Sequence, residues 1–412
     1  MKIALLTLGT RGDIQPFAIL GKALKSRGHE VVIATAKNFS SLIESYNIDF
    51  VPVEADFQAI LNSEEGKKMM SNPLSARKHL HRLIYPMMIS ALETFYSISR
   101  ESDCVLFHVK AMAEYFMDNC NAKFIKTNVV PAIEPTSEFG NPVFSSWHLP
   151  RFLNRSSYKL TDLGLKMMNK PINEFRKKIG ITTKFKKPPL PSIYGISPHF
   201  LTQPNDYPNS SYFSGFWFDE EEQEPDQKTL DFIHGGTVPL AFTLGSMPFE
   251  TKINVYDALN SLSSKYRLII IKGWGLQKAE SFNKNKNIHL VESAPYQKLF
   301  PLVKGVIHHG GIGTIAACLR AGTPFFTCPV LYPLGDQHFW GTIAYQKNLA
   351  CKPVPAKKLT LTDLLSAADR LVNDSSLQAH AQLMQTKLNT ENGVQNAIHI
   401  IEKLGSGQAV SR

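Results

Sequence analysis

The chain has 412 residues, 43% of them apolar and 19% charged, which excludes a largely disordered protein and calls for two domains. Five cysteines, odd in number and without CxxC spacing, exclude a disulfide frame and a cysteine zinc site. The net charge of +10 is unevenly spread, so its sign bears on particular segments rather than on the whole surface.

In chain order, the run from Ile3 to Thr10 reads as a first β-strand and its loop. A signal peptide would need a longer apolar stretch and a cleavage site. A helix is predicted over 15–27, stopping at Gly28, and a second strand over 30–35. Residues 151–187 hold eleven Lys or Arg against Asp162 and Glu174. Such a segment suits an anionic membrane surface or a solvated helical face, and no nucleic-acid motif accompanies it. Residues 219–226 hold six acids and no base and mark a linker. The second half repeats the opening: a strand over 240–244, Gly245 and Ser246, a helix over 252–263 and a strand over 266–272. Two helical segments, 377–388 and 393–404, precede a small polar tail.

This alternation predicts an α/β protein of two tandem Rossmann-like domains facing a cleft. The expected division is 1–210 for the first domain, 211–230 for an acidic linker, 231–390 for the second and 391–412 for a C-terminal helix and frayed tail. No apolar run approaches the length of a membrane span, so a cytoplasmic protein is expected, with peripheral membrane contact through the basic segment.

In open parallel sheets ligands sit beyond the carboxyl ends of strands. The densest motif there is His308, His309, Gly310, Gly311, Ile312, Gly313 and Thr314, between a short buried strand and a helix ending at Gly322. Glycines let backbone approach a ligand, free N–H groups at a helix start favour phosphate, and an imidazole can donate to a leaving diphosphate. After the next strand, Asp336 and Gln337 offer a carboxylate and an amide suited to neighbouring sugar hydroxyls, although an aspartate here also reads as a plain helix cap. In the first half, residues 9–13 lack the GxGxxG spacing of a dinucleotide site, and no acid ends the second strand. Asp13 reads as a capping residue or as a general base at the cleft floor. The apolar stretch 74–95 with Tyr85, and Phe144 with Trp147, read as core or as the wall of an apolar acceptor site.

The order Gly-Thr-Arg-Gly-Asp-Ile-Gln-Pro at 9–16, His-His-Gly-Gly-Ile-Gly-Thr at 308–314 and Gly-Asp-Gln-His-Phe-Trp at 335–340 resembles family 1 UDP-glycosyltransferases. The branch it is most similar to contains sterol 3β-glucosyltransferases and bacterial glycosyltransferases of glycopeptides and other natural products. The resemblance implies a GT-B fold and an inverting, metal-independent mechanism without a cofactor, the UDP-sugar being a co-substrate. It implies Asp13 as base, Thr10 and Arg11 beside the donor, and His308, Gly313 and Thr314 on the diphosphate. Ser246 would lie near the phosphates, Ser293 and Ala294 in the loop that grips the base, and Trp274 near the base, while Asp336 and Gln337 would hold the donor sugar. Ile312 and Ile315 stand where the family has smaller or hydroxyl residues, which shifts phosphate contacts toward backbone amides.

The function expected is transfer of a hexose, glucose first, from a UDP-sugar to a hydroxyl of an apolar acceptor such as a sterol, terpenoid or polyketide. Two alternatives share the fold: a non-catalytic nucleotide-sugar-binding helper, and a sugar epimerase. The pair Asp336 and Gln337 together with Asp13 argues against the first, and no acid/base set on both sides of one sugar carbon supports the second.

Overall fold

The computed structural model describes all residues except 56–83, 167, 220–222, 246–250, 274–275, 277–281, 283–284 and 411–412. Ser246, Trp274 and residues 74–83 of the apolar stretch therefore lie outside the described residues.

Two fully parallel sheets form, because the strand segments are short continuous apolar runs buried on both faces. The first has seven strands: β1 Lys2–Leu6, β2 Glu30–Ala36, β3 Asp49–Val53, β4 Cys104–Phe107, β5 Lys123–Asn128, β6 Ser192–Tyr194 and β7 Ser211–Phe213. Their order is β3-β2-β1-β4-β5-β6-β7. The second holds β8 Leu240–Thr243, β9 Leu268–Ile271, β10 Ile288–Val291, β11 Gly305–His308 and β12 Phe325–Thr327, in the order β10-β9-β8-β11-β12. Alternate residues of one strand feed opposite cores: Leu268 and Ile270 of β9 enter one, Ile269 and Ile271 the other.

The strand order reverses once in each sheet, between β1 and β4 and between β8 and β11. At such a point the loops leaving two adjacent strands diverge and open a crevice. Residues 9–13 and 108–110 share the crevice of the first sheet, and Gly245 shares that of the second with the histidine-glycine turn.

Three expectations about organisation need revision. Strand β7 lies within the segment read as linker, since Ser211 to Phe213 pairs in register with Ser192 to Tyr194. The helix predicted over 15–27 starts earlier and spans Arg11–Ser26, because Thr10 caps it and Asp13 completes a capping box. The helix Gly393–Gly405 is part of the first domain: Ala397, Ile398 and Ile401 are buried in the same core as β1, β4 and β5. Glu391 anchors this return, accepting from Ser197 Oγ at 2.6 Å and from Phe216 N–H at 2.8 Å. The domains meet through an apolar seam in which Phe200 stacks on Trp340 at 5.9 Å. All five cysteines are free thiols, as the sequence implied. Among the described residues, no helix is long and apolar enough to cross a membrane.

Candidate active site

Asp13 occupies the third position of the first helix, where the capping box fixes its direction. Oδ2 accepts from Thr10 N–H at 2.8 Å and from Thr10 Oγ at 3.1 Å. Oδ1 faces the loop after β4 and accepts from Lys110 Nζ at 2.8 Å. The capping and base readings of Asp13 are therefore compatible, one oxygen serving the helix and the other facing the cleft. Burial pushes the carboxyl up, but the charge of Lys110, the nearby His108 ring and the bonds from Lys110 and Thr10 outweigh it, so Asp13 stays below the usual carboxylate range. Gly9 makes room: at φ +137° it lies so close that an added Cβ would stand 2.2 Å from Oδ2.

Lys110 and His108 were not among the residues singled out from sequence. They follow β4, and only the pairing of β4 with β1 brings them to Asp13. His108 Nδ1 accepts the Lys110 N–H at 3.4 Å, and burial lowers the imidazole pKa to about 4. A neutral ring that accepts at Nδ1 carries its proton on Nε2, the atom 3.7 Å from Asp13 Oδ1. Lys110, half exposed, is thus the full charge next to Asp13, and His108 a neutral neighbour.

The glycine turn gives each histidine a different place. His308, the last residue of β11, is fully buried, and its Nδ1 accepts Gly310 N–H at 3.1 Å. This bond holds the turn where Gly310 adopts φ +92°. Its Nε2 is buried without a partner. His309 is the histidine nearer the surface, seated between two glycines: a Cβ on Gly311 would meet its Nε2 at 2.5 Å, and one on Gly245 its Cε1 at 3.0 Å. Burial lowers His309 to about 4, and lowers His308 well below the ordinary value with His309 adding to the effect. Both rings are neutral, so neither brings positive charge to a diphosphate.

Gly311 is the N-cap of the helix Ile312–Ala321, whose first amides have no intrahelical acceptor. The Ile312 side chain is core, which leaves this residue the backbone role expected of it. Thr314 is also largely buried, whereas a Cβ at Gly313 would meet open space. Ser293 is exposed and Ala294 half-buried in the loop after β10. Beside them Tyr296, of the same segment, shares a hydrogen bond with Thr243 at 2.9 Å. The charge of Arg11 reaches Tyr296 from the first domain, while Arg11 Nε donates to Gln15 at 3.0 Å.

Asp336 stands at the N-cap position of the helix Gln337–Gln346, but its side chain makes no capping bond and instead accepts from the Trp340 indole N–H at 2.9 Å. Burial raises its pKa, the Trp340 bond opposes this, and the charge of Asp13 raises it further. Asp336 and Asp13, from different domains, are thus near enough for one charge to act on the other. Gln337 departs from its expected role. Its buried carbonyl oxygen accepts from Val330 N–H at 2.8 Å and Leu331 N–H at 3.0 Å, which sets the loop and leaves only the amide NH₂ for a ligand. Among the acceptor candidates, half-buried Phe144 lines a cavity of about 460 Å³ between the domains with Phe139, Phe200, Phe339 and Ile343. Tyr85 opens the helix Tyr85–Arg100 and does not line this cavity. Trp147 is 47% exposed and packs on Phe144 from outside, a correction to its place as a wall residue.

Two facing Rossmann-like domains with a phosphate-suited turn on one and a carboxylate on the other define the GT-B architecture of glycosyltransferases. Residues 3–100 match the family described as Glycosyltransferase family 28 N-terminal domain. The chain is 28% identical to a sterol 3-beta-glucosyltransferase of Arabidopsis thaliana, UGT80B1, over 97% of its own length and 67% of that protein. It is 27% identical to the O-mycaminosyltylonolide 6-deoxyallosyltransferase of Streptomyces fradiae, covering 98% of this chain and 97% of that one. Other sterol 3-beta-glucosyltransferases are spanned less fully, 30% of the length of the Aspergillus oryzae protein. The glycosyltransferase VinC in complex with DTDP superposes with a TM-score of 0.71 at 17% identity, over 99% of this chain and 100% of that one. The chain therefore has the GT-B fold, and its residues 3–100 match a glycosyltransferase family 28 N-terminal domain.

Proposed function

We propose that this glycosyltransferase moves a hexose from a UDP-sugar to a hydroxyl of an apolar acceptor such as a sterol, terpenoid or polyketide, with inversion at the anomeric carbon and Asp13 as general base. The observation that carries the reading is an Asp13 held ionised by Lys110 at the switch point of the first sheet, within reach of the charge of Asp336, whose neighbour Gln337 packs on Gly310 of the glycine turn. The acceptor oxygen attacks C1 of the sugar as its proton passes to Asp13, and the C1–phosphate bond breaks on the opposite face. Charge growing on the leaving diphosphate meets the first amides of the helix Ile312–Ala321. The unpartnered Nε2 of His308 supports a donor there, since an oxygen reaching it would relieve an unmade bond worth about 1–3 kcal/mol. Asp336 keeps one oxygen for a sugar hydroxyl, and the Gln337 NH₂ faces the same duty. In this reading the nucleotide sugar is a co-substrate, and no further cofactor or metal takes part.

The apolar acceptor rests on the Phe139, Phe144 and Phe339 lining of the interdomain cavity and on the sterol and tylonolide substrates named for the relatives. The test is UDP release from UDP-glucose in the presence of ergosterol, a triterpenoid alcohol or a macrolide, with glycoside detected by mass. Glycoside from at least one supports the reading. UDP binding without turnover on any acceptor points to a helper protein.

A further inference from the structure

Outside the cleft, the first domain carries a face that is both apolar and basic. Trp147 is 47% exposed, Phe152 82%, Leu160 37% and Leu163 60%. All four fall on the 3₁₀ stretches Pro142–Trp147 and Arg151–Leu153 and on the helix Asn154–Lys166 that follows directly. The helix buries Asn154, Ser157 and Tyr158. Its exposed positions 155, 156, 159, 160 and 163 recur at helical spacing and form the opposite face.

Arg151, Lys159 and Lys166 are interleaved with these apolar residues and exposed. None of the three makes a side-chain hydrogen bond or ion pair among the described residues. Arg155 lies 3.8 Å from Asp206, and Asp162 is the acid on the helix, 4.0 Å from Lys187. Two of the more C-terminal bases expected to meet a membrane are committed elsewhere. Arg176 is buried, donating to Tyr115 and Thr183 carbonyls at 2.5 and 2.8 Å, and Lys178 pairs with Glu93 at 2.6 Å.

We propose that the face formed by Trp147, Phe152, Leu160 and Leu163 with Arg151, Lys159 and Lys166 docks this domain on an anionic lipid bilayer. The charge arrangement favours lipid over another protein: long cationic side chains surround the apolar tips, so the tips enter the acyl boundary while the cations stay among headgroups. Anionic headgroups complement the free cations, and each adds to binding within a Debye length of the surface. The face continues into the site, because Trp147 packs on Phe144, 5.0 Å between rings, and Phe144 lines the interdomain cavity. A membrane-dissolved alcohol would then reach the cleft without crossing water, a consequence that rests on the proposed transfer activity, whereas docking itself does not.

The test is flotation of the full chain with vesicles of phosphatidylcholine containing 30% phosphatidylserine, compared with pure phosphatidylcholine and with 1 M salt. We expect flotation with the anionic vesicles only, and its loss at high salt. K159E with K166E should weaken binding at least about tenfold. F152S with L163S should leave salt-sensitive adsorption and abolish the blue shift of Trp147 fluorescence, assigned by its absence in W147F. UDP affinity and thermal midpoint should be unchanged in both double variants, which excludes misfolding. Equal flotation of the wild type and K159E/K166E overturns the proposal, as does absence of binding to anionic vesicles. A concentration-dependent dimer that F152S/L163S dissociates would assign the face to a second copy instead. Vesicle binding by a chain with no turnover on any alcohol would leave docking standing and remove the transfer reading.

Discussion

Lys110 and Asp13 leave neighbouring strands of the first sheet and meet at 2.8 Å, so the proposed base is held by a cation. The pairing keeps Asp13 ionised against its own burial and also lowers its basicity. Lys110 acts here as a positioning residue. Removing the charge in Lys110→Met should raise the Asp13 pKa and move the acidic limb of kcat/KM upward by about 1 pH unit or more. Lys110→Arg should keep the limb near its wild-type place. An unmoved limb in the methionine variant would detach Lys110 from the base.

Gly9 tests the geometry rather than the charge. Its φ of +137° and the 2.2 Å gap between an added Cβ and Asp13 Oδ2 leave no room for a methyl group. Gly9→Ala should cost about 1 kcal/mol or more of stability and displace the carboxylate. Transfer should fall much further than UDP affinity, because the proposed diphosphate site, at the helix Ile312–Ala321, lies on the other domain. Equal losses in both, by calorimetry and turnover, would contradict this division.

Donor-sugar recognition should separate Asp336 from Gln337. Asp336→Ala removes a carboxylate bonded to Trp340, so UDP-glucose should weaken by about tenfold or more while free UDP changes little. Gln337→Ala also frees two loop amides, Val330 and Leu331. That variant should lose about 1–3 kcal/mol in urea unfolding besides its donor affinity. Indistinguishable stabilities would return Gln337 to a purely ligand-facing role.

Buried neutral histidines make a pH prediction whose sign is fixed. His108 and His309 lie at about 4 in the fold against 6.5 for the free side chain. Between these values the unfolded chain takes up protons that the folded chain refuses. Stability is therefore fully present above 6.5 and is lost as pH falls toward 4. At about 1.4 kcal/mol for each pH unit, His108 alone accounts for roughly 3 kcal/mol of that loss. Urea midpoints at pH 7, 5.5 and 4.5 should decline in the wild type and decline less in His108→Asn. Parallel slopes would mean that His108 titrates freely.

Much of this was legible in the chain. Short apolar runs ending in glycine announced both parallel sheets, and motif spacing placed the turn at 308–314 and the carboxylates at 13 and 336. Three things could not be read there. Lys110 and His108 follow a strand with no motif, and their importance comes from the sheet order alone. Of two adjacent histidines at a strand end, one must enter the core and one the surface, and alternation along β11 decides which. The helix at Gly393–Gly405 reads as a C-terminal appendage until its buried isoleucines are found in the first domain's core.

The most direct measurement compares transfer and UDP binding in Asp13→Asn. The amide has the size of the carboxylate and can still accept from Thr10 N–H, yet it cannot take the acceptor's proton. Calorimetry should give a UDP affinity within about threefold of wild type, while glycoside formation from UDP-glucose falls by about 10²-fold or more. Transfer by Asp13→Asn at close to the wild-type rate would contradict the account and place the base elsewhere in the cleft.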